Sequence, residues 1–139
     1  MSSRPKTYIV LGVLILIAIG GYICLDSIFP KAADVFCPEA EDITSIMVVK
    51  DGKSSSVDMP DQNELLRYIR SAQPTRKQSV NDTPAVKTYY LIRIKTSEPE
   101  YFYYAYESGS HAYIEIPYQG IYKAEQNAIV FLSEQFPGE

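Results

Sequence analysis

The chain has 139 residues, with 13 basic and 17 acidic side chains and a formal charge of −4. Arg4 and Lys6 are the only charges before an uncharged apolar run, so the remaining chain carries 17 acidic and 11 basic residues. Nucleic-acid binding depends on clustered Lys and Arg at the phosphates, and this acidic composition excludes it. Roughly one hundred residues follow the apolar run, which is enough for one modest domain.

The apolar run covers residues 8–25 and contains neither a charge nor a proline. A helix of this length rises about 27 Å, which matches the hydrocarbon core of a bilayer. The positive charges before it place residues 1–7 in the cytoplasm, as a short tail, and the rest of the chain outside. The alternative is a cleaved signal peptide, but the small residues of a cleavage site do not follow the run. We therefore predict an uncleaved, single-pass anchor in the plasma membrane.

Residues 26–42 contain two prolines, several small residues and several acids, and they predict a stalk or linker. Residues 43–139 then form the predicted extracytoplasmic domain. Two cysteines, Cys24 and Cys37, are too few for a disulfide framework and are interpreted as free thiols. A bridge through Cys37 between two copies is the alternative.

The domain is predicted to begin with a β-hairpin. Asp51-Gly52 is a strong two-residue turn signal, and it separates strand-like runs at 43–49 and 53–59. This turn sets Ile46 opposite Val57, which places apolar partners on one face. The sequence leaves open whether the hairpin joins the later strands in one sheet.

A helix is predicted after the hairpin. Asp61 and Glu64 have the spacing of a capping box ahead of an amphipathic run, and Pro74 marks the end of the helix. The polar segment 75–87 follows as a loop, and it is long for so small a domain.

Three strand-like runs follow, at 88–95, 100–107 and 111–117. Three-residue loops at Ser97–Pro99 and Ser108–Ser110 predict a meander with its even-numbered residues on one face. This predicted core face contains Tyr90, Ile92, Ile94, Phe102, Tyr104, Tyr106, Ala112, Ile114 and Ile116.

A turn at 117–122 and a helix at 124–136 complete the domain. The apolar stripe of this helix consists of Ala128, Ile129, Leu132 and Phe136. The element order is ββαβββα, which predicts an α+β fold with an antiparallel sheet and the helices on one face.

Two surfaces are candidates for binding. The odd-numbered face of the meander carries tyrosines among charges, and tyrosine offers rigid contact area with a polar tip. The loop at 75–87 holds the concentrated positive charge of the domain, and long loops on rigid scaffolds often carry function. Both sets also have a structural interpretation, because Tyr favours strands and Asn and Asp shape loops. The candidates are Tyr101, Tyr103 and Tyr113 on the face, and Arg76, Lys77, Ser79, Asn81 and Asp82 on the loop.

His111 is the single histidine, and the predicted register places it opposite Glu107, where an ion pair accounts for it. A metal site needs grouped His, Cys or carboxylate ligands, and no such group is evident. The sequence also lacks a nucleophile elbow and a phosphate-binding glycine loop. We therefore predict no catalytic residue, metal or cofactor. A small hydrolase that uses His111 is the disfavoured alternative.

Two segments, SVNDTP at 79–84 and IEIPYQGIY at 114–122 with its turn PYQGIY at 117–122, resemble an uncharacterised family of small secreted or membrane-anchored proteins of Gram-positive bacteria. The similarity extends over roughly residues 42–136. The resemblance implies a location in the bacterial envelope and no assigned activity. It adds Tyr118 and Gln119 to the candidate binding residues.

Together these observations predict a membrane-anchored binding module in a bacterial envelope. Its partner would be a protein, a peptide or a cell-wall component. The alternative is an immunity or inhibitor protein that neutralises a toxin or enzyme at the membrane, because small acidic domains complement basic targets.

Overall fold

The computed structural model describes residues 4–138, without the side chains of residues 4–6 and 26. The start of the predicted cytoplasmic tail, residues 1–3, lies outside this range. The chain divides into two compact units, Met1–Lys31 and Ala32–Glu139. In the first unit, helix α1 (Arg4–Ile28) contains the apolar stretch Thr7–Leu25, with a mean hydropathy of 2.6. Among the described residues, this helix is long and apolar enough to cross a membrane, as judged by length and composition.

In the second unit, the elements of the described residues are β1 (Ile43–Lys50), β2 (Lys53–Ser56), α2 (Met59–Ser71), β3 (Gln73–Pro74), β4 (Tyr90–Thr96), β5 (Glu100–Ser108), β6 (His111–Ile116), β7 (Gly120–Ala124) and α3 (Gln126–Glu134). The strands form a seven-stranded antiparallel sheet with the order β2-β1-β4-β5-β6-β7-β3. The fold is α+β, as predicted, and the first hairpin joins the meander because β1 pairs with β4. Helices α2 and α3 pack on one face of the sheet around a common apolar core. We call this the helix face and the opposite one the loop face.

The first hairpin forms as predicted. Asp51 and Gly52 both have positive φ angles, 49° and 79°, which the two-residue turn between β1 and β2 requires. The backbone N–H of Val57 donates to the carbonyl oxygen of Ile46 at 3.0 Å, so these apolar residues are neighbours on the helix face. A local turn signal therefore sets this register correctly.

Strand β5 is shifted by one residue from its predicted register with both neighbours. Ile94 lies opposite Tyr101, where the sequence predicted Phe102, and the pairing with β6 is shifted in the same way. Both hairpin loops contain two residues, Ser97–Glu98 and Gly109–Ser110, where three were predicted. A shift of one residue moves every side chain to the other face. The predicted core face is therefore correct for β4 and β6 and wrong for β5.

The shift of β5 reverses the positions of its tyrosines. Tyr101 and Tyr103, predicted on the exposed face, lie on the helix face, and Tyr103 is only 1% exposed. Tyr104 and Tyr106 lie on the loop face instead, where both are buried. The predicted exposed tyrosine face is therefore wrong.

Helix α2 begins earlier than predicted. Its first residue is Met59, its N-cap is Asp58, and no side chain caps it, so the predicted capping box of Asp61 and Glu64 is wrong. Pro60 lies in the first turn, where its missing N–H is tolerated and its fixed φ favours the helix. In the last helix, Phe131 is buried together with the predicted Ala128 and Leu132, and Ile129 is partly buried. Phe136, predicted as part of this helix, lies beyond its last residue and is partly buried. Strands β3 and β7 were not predicted.

The segment before β1 packs on the sheet. The N–H of Ala32 donates to the carbonyl oxygen of Thr75 at 3.2 Å. Cys37 is a free, partly buried thiol, and burial raises its pKa to about 11. Residues 32–42 thus belong to the compact unit, although the sequence assigned them to a linker.

The buried tyrosines predict a loss of stability at alkaline pH. Burial raises the pKa of the Tyr103 and Tyr106 phenols above the ordinary value of 10.0. Because the folded-state pKa is the higher one, this stabilisation is complete below pH 10 and is lost as the pH rises through the folded-state values. We expect the thermal unfolding midpoint of the full chain in detergent micelles to fall as the pH rises above about 10. The fall should be smaller in Tyr103→Phe, and an equal fall in both chains would contradict the prediction.

Candidate binding cleft

The loop between β3 and β4, residues 75–89, lies across the loop face and carries most of the predicted binding residues. Its first residues continue the edge of β7. The Thr75 N–H and hydroxyl both donate to the carbonyl oxygen of Ile121, at 3.2 and 2.6 Å. The N–H of Ile121 in turn donates to the carbonyl oxygen of Lys77 at 3.4 Å. Since these bonds lie next to a strand, they give the start of the loop a fixed path.

A buried carboxylate holds the middle of the loop. Glu115 on β6 is 5% exposed, and it accepts hydrogen bonds from the Ser79 hydroxyl at 2.7 Å and the Tyr106 hydroxyl at 3.0 Å. A buried carboxylate is stable only when it has such partners. Burial and this hydrogen bond raise the pKa of Tyr106, so the phenol keeps its proton and donates it. The sequence predicted Glu115 on a solvated face, which is wrong because the loop covers it.

The tip of the loop is held by the turn between β6 and β7. Tyr118 in this turn has a φ of 60°, which typically costs about 1–2 kcal/mol for a residue other than glycine. Its hydroxyl donates to Oδ1 of Asp82 at 2.8 Å, although the side chain is 66% exposed. The strained backbone thus aims Tyr118 at the loop. Strain of this kind is found at functional sites and motivates a search for function here.

These contacts join the two segments that resemble the uncharacterised family. Ser79 and Asp82 belong to SVNDTP, whereas Glu115 and Tyr118 belong to IEIPYQGIY. Each hydrogen bond joins one segment to the other. Pro84 of the first segment is also buried. The two segments are therefore the two sides of one contact between the loop and the sheet.

A cleft of about 330 Å³ lies between the loop and the sheet. Its size is at the lower end of the range for ligand sites. Lys77 lies at the cleft with its Nζ 3.3 Å from the Tyr113 hydroxyl and 4.3 Å from the centre of the Tyr113 ring, a cation–π geometry. The cleft therefore combines a positioned cation, amides, a buried carboxylate and apolar side chains. Its lining residues are Lys77, Gln78, Val80, Asn81, Ala85, Val86, Tyr106, Ser108, Glu115 and Ile121.

The structure divides the predicted binding residues into two groups. The loop residues Lys77, Ser79, Asn81 and Asp82 lie together with Tyr113 and Tyr118 on the loop face. Arg76 is partly buried and is not among the residues that line the cleft. Tyr101 and Tyr103 lie on the helix face, and Gln119 lines a separate cavity beside them.

Sequence reasoning missed two residues of this cleft, Glu115 and Tyr106. The sequence predicted Glu115 on the solvent face of the sheet and Tyr106 on the core face. Neither prediction included a loop that folds over the sheet. The sequence contains an indirect signal for Glu115 alone, because this residue lies within the segment IEIPYQGIY.

His111 lies outside the cleft. It is opposite Ser108 in the sheet, so the predicted ion pair with Glu107 is wrong. The His111 ring meets the Tyr113 ring edge-on, with their centres 6.5 Å apart. Glu107 instead accepts a hydrogen bond from the Gln126 amide.

The fold and the cleft define a small α+β domain in which a long loop is fastened across an antiparallel sheet. Residues 31–123 match the family DUF5301, described as "Domain of unknown function (DUF5300)", and the chain belongs to this family. An NMR structure of a protein from Ruminococcus gnavus is similar, with 28% identity and a TM-score of 0.57. That similarity covers 67% of this chain and 96% of the other. A comparison with curated protein sequences found no match.

Proposed function

We propose that this chain is a membrane-anchored, extracytoplasmic binding module whose ligand site is the cleft beneath residues 75–89. The observation that carries the proposal is the fastening of the loop through Glu115 to the sheet. This contact fixes the loop and leaves Lys77, Val80 and Asn81 exposed along the cleft. A rigid cleft with exposed polar groups is suited to binding because little order is lost when a ligand enters.

The chemistry of the cleft favours a peptide-containing ligand such as a cell-wall fragment. The Lys77 ammonium supplies a cation for a carboxylate, and a charge-assisted hydrogen bond of this kind contributes about 1.5–3 kcal/mol. The Asn81 amide can donate to and accept from a peptide group. Val80 and Val86 provide apolar contacts beside these polar groups. The proposal is for binding without catalysis.

The proposed location follows from the first unit. An apolar helix of this length anchors a chain in a bilayer, and Arg4 and Lys6 before it favour a cytoplasmic N-terminus. The cleft then faces the outside of the cell, where wall components are present. On intact cells, added protease should remove a tag fused to the C-terminus. A protected tag would contradict this orientation.

Photo-crosslinking in intact cells tests the cleft. We expect Val80→p-benzoylphenylalanine to capture a wall fragment or peptide, because this side chain is 64% exposed and lines the cleft. The matched position is Val130 on α3, which is 51% exposed and lines a different cavity. Capture from Val130 and none from Val80 would overturn the proposal.

A variant that lacks the Lys77 charge tests whether this cation contributes to capture from Val80. Lys77→Ala should reduce capture from Val80 about tenfold or more, since it removes the cation of the cleft. Lys95→Ala is the control, because Lys95 is an exposed lysine of β4 that does not line the cleft. Equal capture by the two lysine variants would show that Lys77 does not recognise the ligand.

A further inference from the structure

An aromatic groove lies apart from the cleft, where the segment before β1 crosses the first residues of β5. Two cavities of about 260 and 460 Å³ adjoin there, and Phe36 and Tyr101 line both of them. Their ring centres are 5.3 Å apart. Phe36 is 54% exposed, so a large apolar side chain meets solvent in the groove. Phe102 also lines the smaller cavity, although it pairs with Arg93 in the sheet and its ring lies 5.8 Å from the Arg93 guanidinium. We call this the Phe36 groove.

Phe36 is exposed although the segment that carries it is fixed by hydrogen bonds and by packing. The Tyr103 hydroxyl donates to the carbonyl oxygen of Phe36 at 2.9 Å. The Arg70 guanidinium donates to the carbonyl oxygen of the buried Pro38, also at 2.9 Å. The side chains on either side of Phe36, Val35 and Cys37, pack against the core. A fixed backbone with an exposed aromatic ring is typical of a prepared contact site.

The charged residues that line the groove are all acidic. Glu39, Asp42 and Glu98 line the larger cavity and Glu100 lines the smaller one, whereas neither is lined by Lys or Arg. Glu39 and Glu100 already pair with arginines outside the lining, at 3.4 and 2.9 Å. Asp42 and Glu98 have no ion pair among the residues that the structure describes.

We propose that the Phe36 groove binds an extended segment of a basic polypeptide. An apolar side chain of the partner would enter the smaller cavity beside Phe36 and Phe102, and a Lys or Arg would meet Asp42 and Glu98. The acidic side chains that line the groove favour a basic partner, because the opposite charges are complementary. Anionic lipid is repelled by the carboxylates, and a second copy is disfavoured because 17 acidic and 11 basic residues follow the apolar run.

The test measures fluorescence anisotropy with the full chain in neutral detergent micelles. The probes are three labelled nonapeptides in which a central leucine is flanked by Lys, by Gln or by Glu. The Lys peptide should bind at least about tenfold more tightly than the Gln peptide, and its advantage should shrink as salt is added. The Glu peptide should not bind to the Lys77→Ala chain, in which the cleft has no Lys77 ammonium for its carboxylates. Micelles without protein provide the blank.

Variants assign the binding to the groove. Phe36→Ala should weaken binding of the Lys peptide about tenfold, and Asp42→Asn with Glu98→Gln should remove its advantage over the Gln peptide. Val130→Ala is the control and should change neither value, because Val130 lies outside the groove. The preference for the Lys peptide over the Gln peptide should also be present in the Lys77→Ala chain, which separates this inference from the proposed function because Lys77 lines the cleft.

Three results would overturn the inference. The first is equal binding of the three peptides, and the second is no saturable binding of any of them. The third is a dimer that sedimentation detects and that Phe36→Ala dissociates, which would assign the groove to a second copy.

Discussion

Replacing Glu115 with alanine is expected to lower the free energy of unfolding by about 2–4 kcal/mol, because two buried hydroxyls lose their acceptor. The hydroxyls of Ser79 and Tyr106 donate to its two oxygens, and both residues are buried. Without the carboxylate, the loop also loses its central attachment to β6. The measurement is thermal unfolding of the full chain in micelles, followed by the near-ultraviolet circular dichroism of its tyrosines.

Matched variants separate the hydrogen bonds from the space that the side chain fills. Glu115→Gln keeps one acceptor oxygen and should cost about 1 kcal/mol. A triple variant, Ser79→Ala with Tyr106→Phe and Glu115→Leu, should recover most of the loss, since no donor then lacks a partner. If Glu115→Ala lowered stability by less than about 0.5 kcal/mol, the network would not be what holds the loop.

Replacing Gly120 with alanine is expected to destabilise the domain by about 1–3 kcal/mol through overpacking. A Cβ on Gly120 would lie 2.5 Å from the Cβ of Ala32, a separation that two carbon atoms do not tolerate. Gly120 has no positive φ, so its backbone conformation does not require a glycine. Its small size instead allows the segment before β1 to pack on β7.

A second substitution at the same contact should restore the stability that Gly120→Ala removes. Ala32→Gly removes the methyl group that an alanine at position 120 would meet, so the double variant should recover most of the lost stability. Ala32→Gly alone should cost no more than about 1 kcal/mol. Thermal unfolding of the four chains completes the cycle. Additive losses in the double variant would show that the two positions do not collide.

The parts of the fold that the sequence predicted are those that local chemistry determines. The Asp51-Gly52 turn needs only its two residues, and the apolar periodicity of α2 and α3 identifies their buried sides. Strand β5 lacks such information, because its sequence EYFYYAYE is aromatic or apolar at both alternating sets of positions. Its register then depends on loop length alone, and a difference of one residue reverses its faces.

The candidate cleft was only partly predictable for a different reason. Composition and length drew attention to residues 75–87, and several of these residues do line the cleft. The sequence does not indicate where a long loop folds back, so the contact between Ser79 and Glu115, 36 positions apart, was missed. Strand β7 was missed for a similar reason, because Gly120 and the preceding turn residues are typical of a loop.

The two outer strands of the sheet differ in their protection against association with other chains. At one edge, β3 ends in Pro74, which has no N–H to offer, and the next residue already accepts a hydrogen bond from Ala32. At the other edge, β2 consists of Lys53 and three serines, which are polar and offer little apolar surface to a neighbouring strand. Pro74 and the segment at Ala32 therefore block the edge at β3, whereas the edge at β2 is protected only by its polar side chains. Extension of the sheet by another chain is therefore expected to begin at β2.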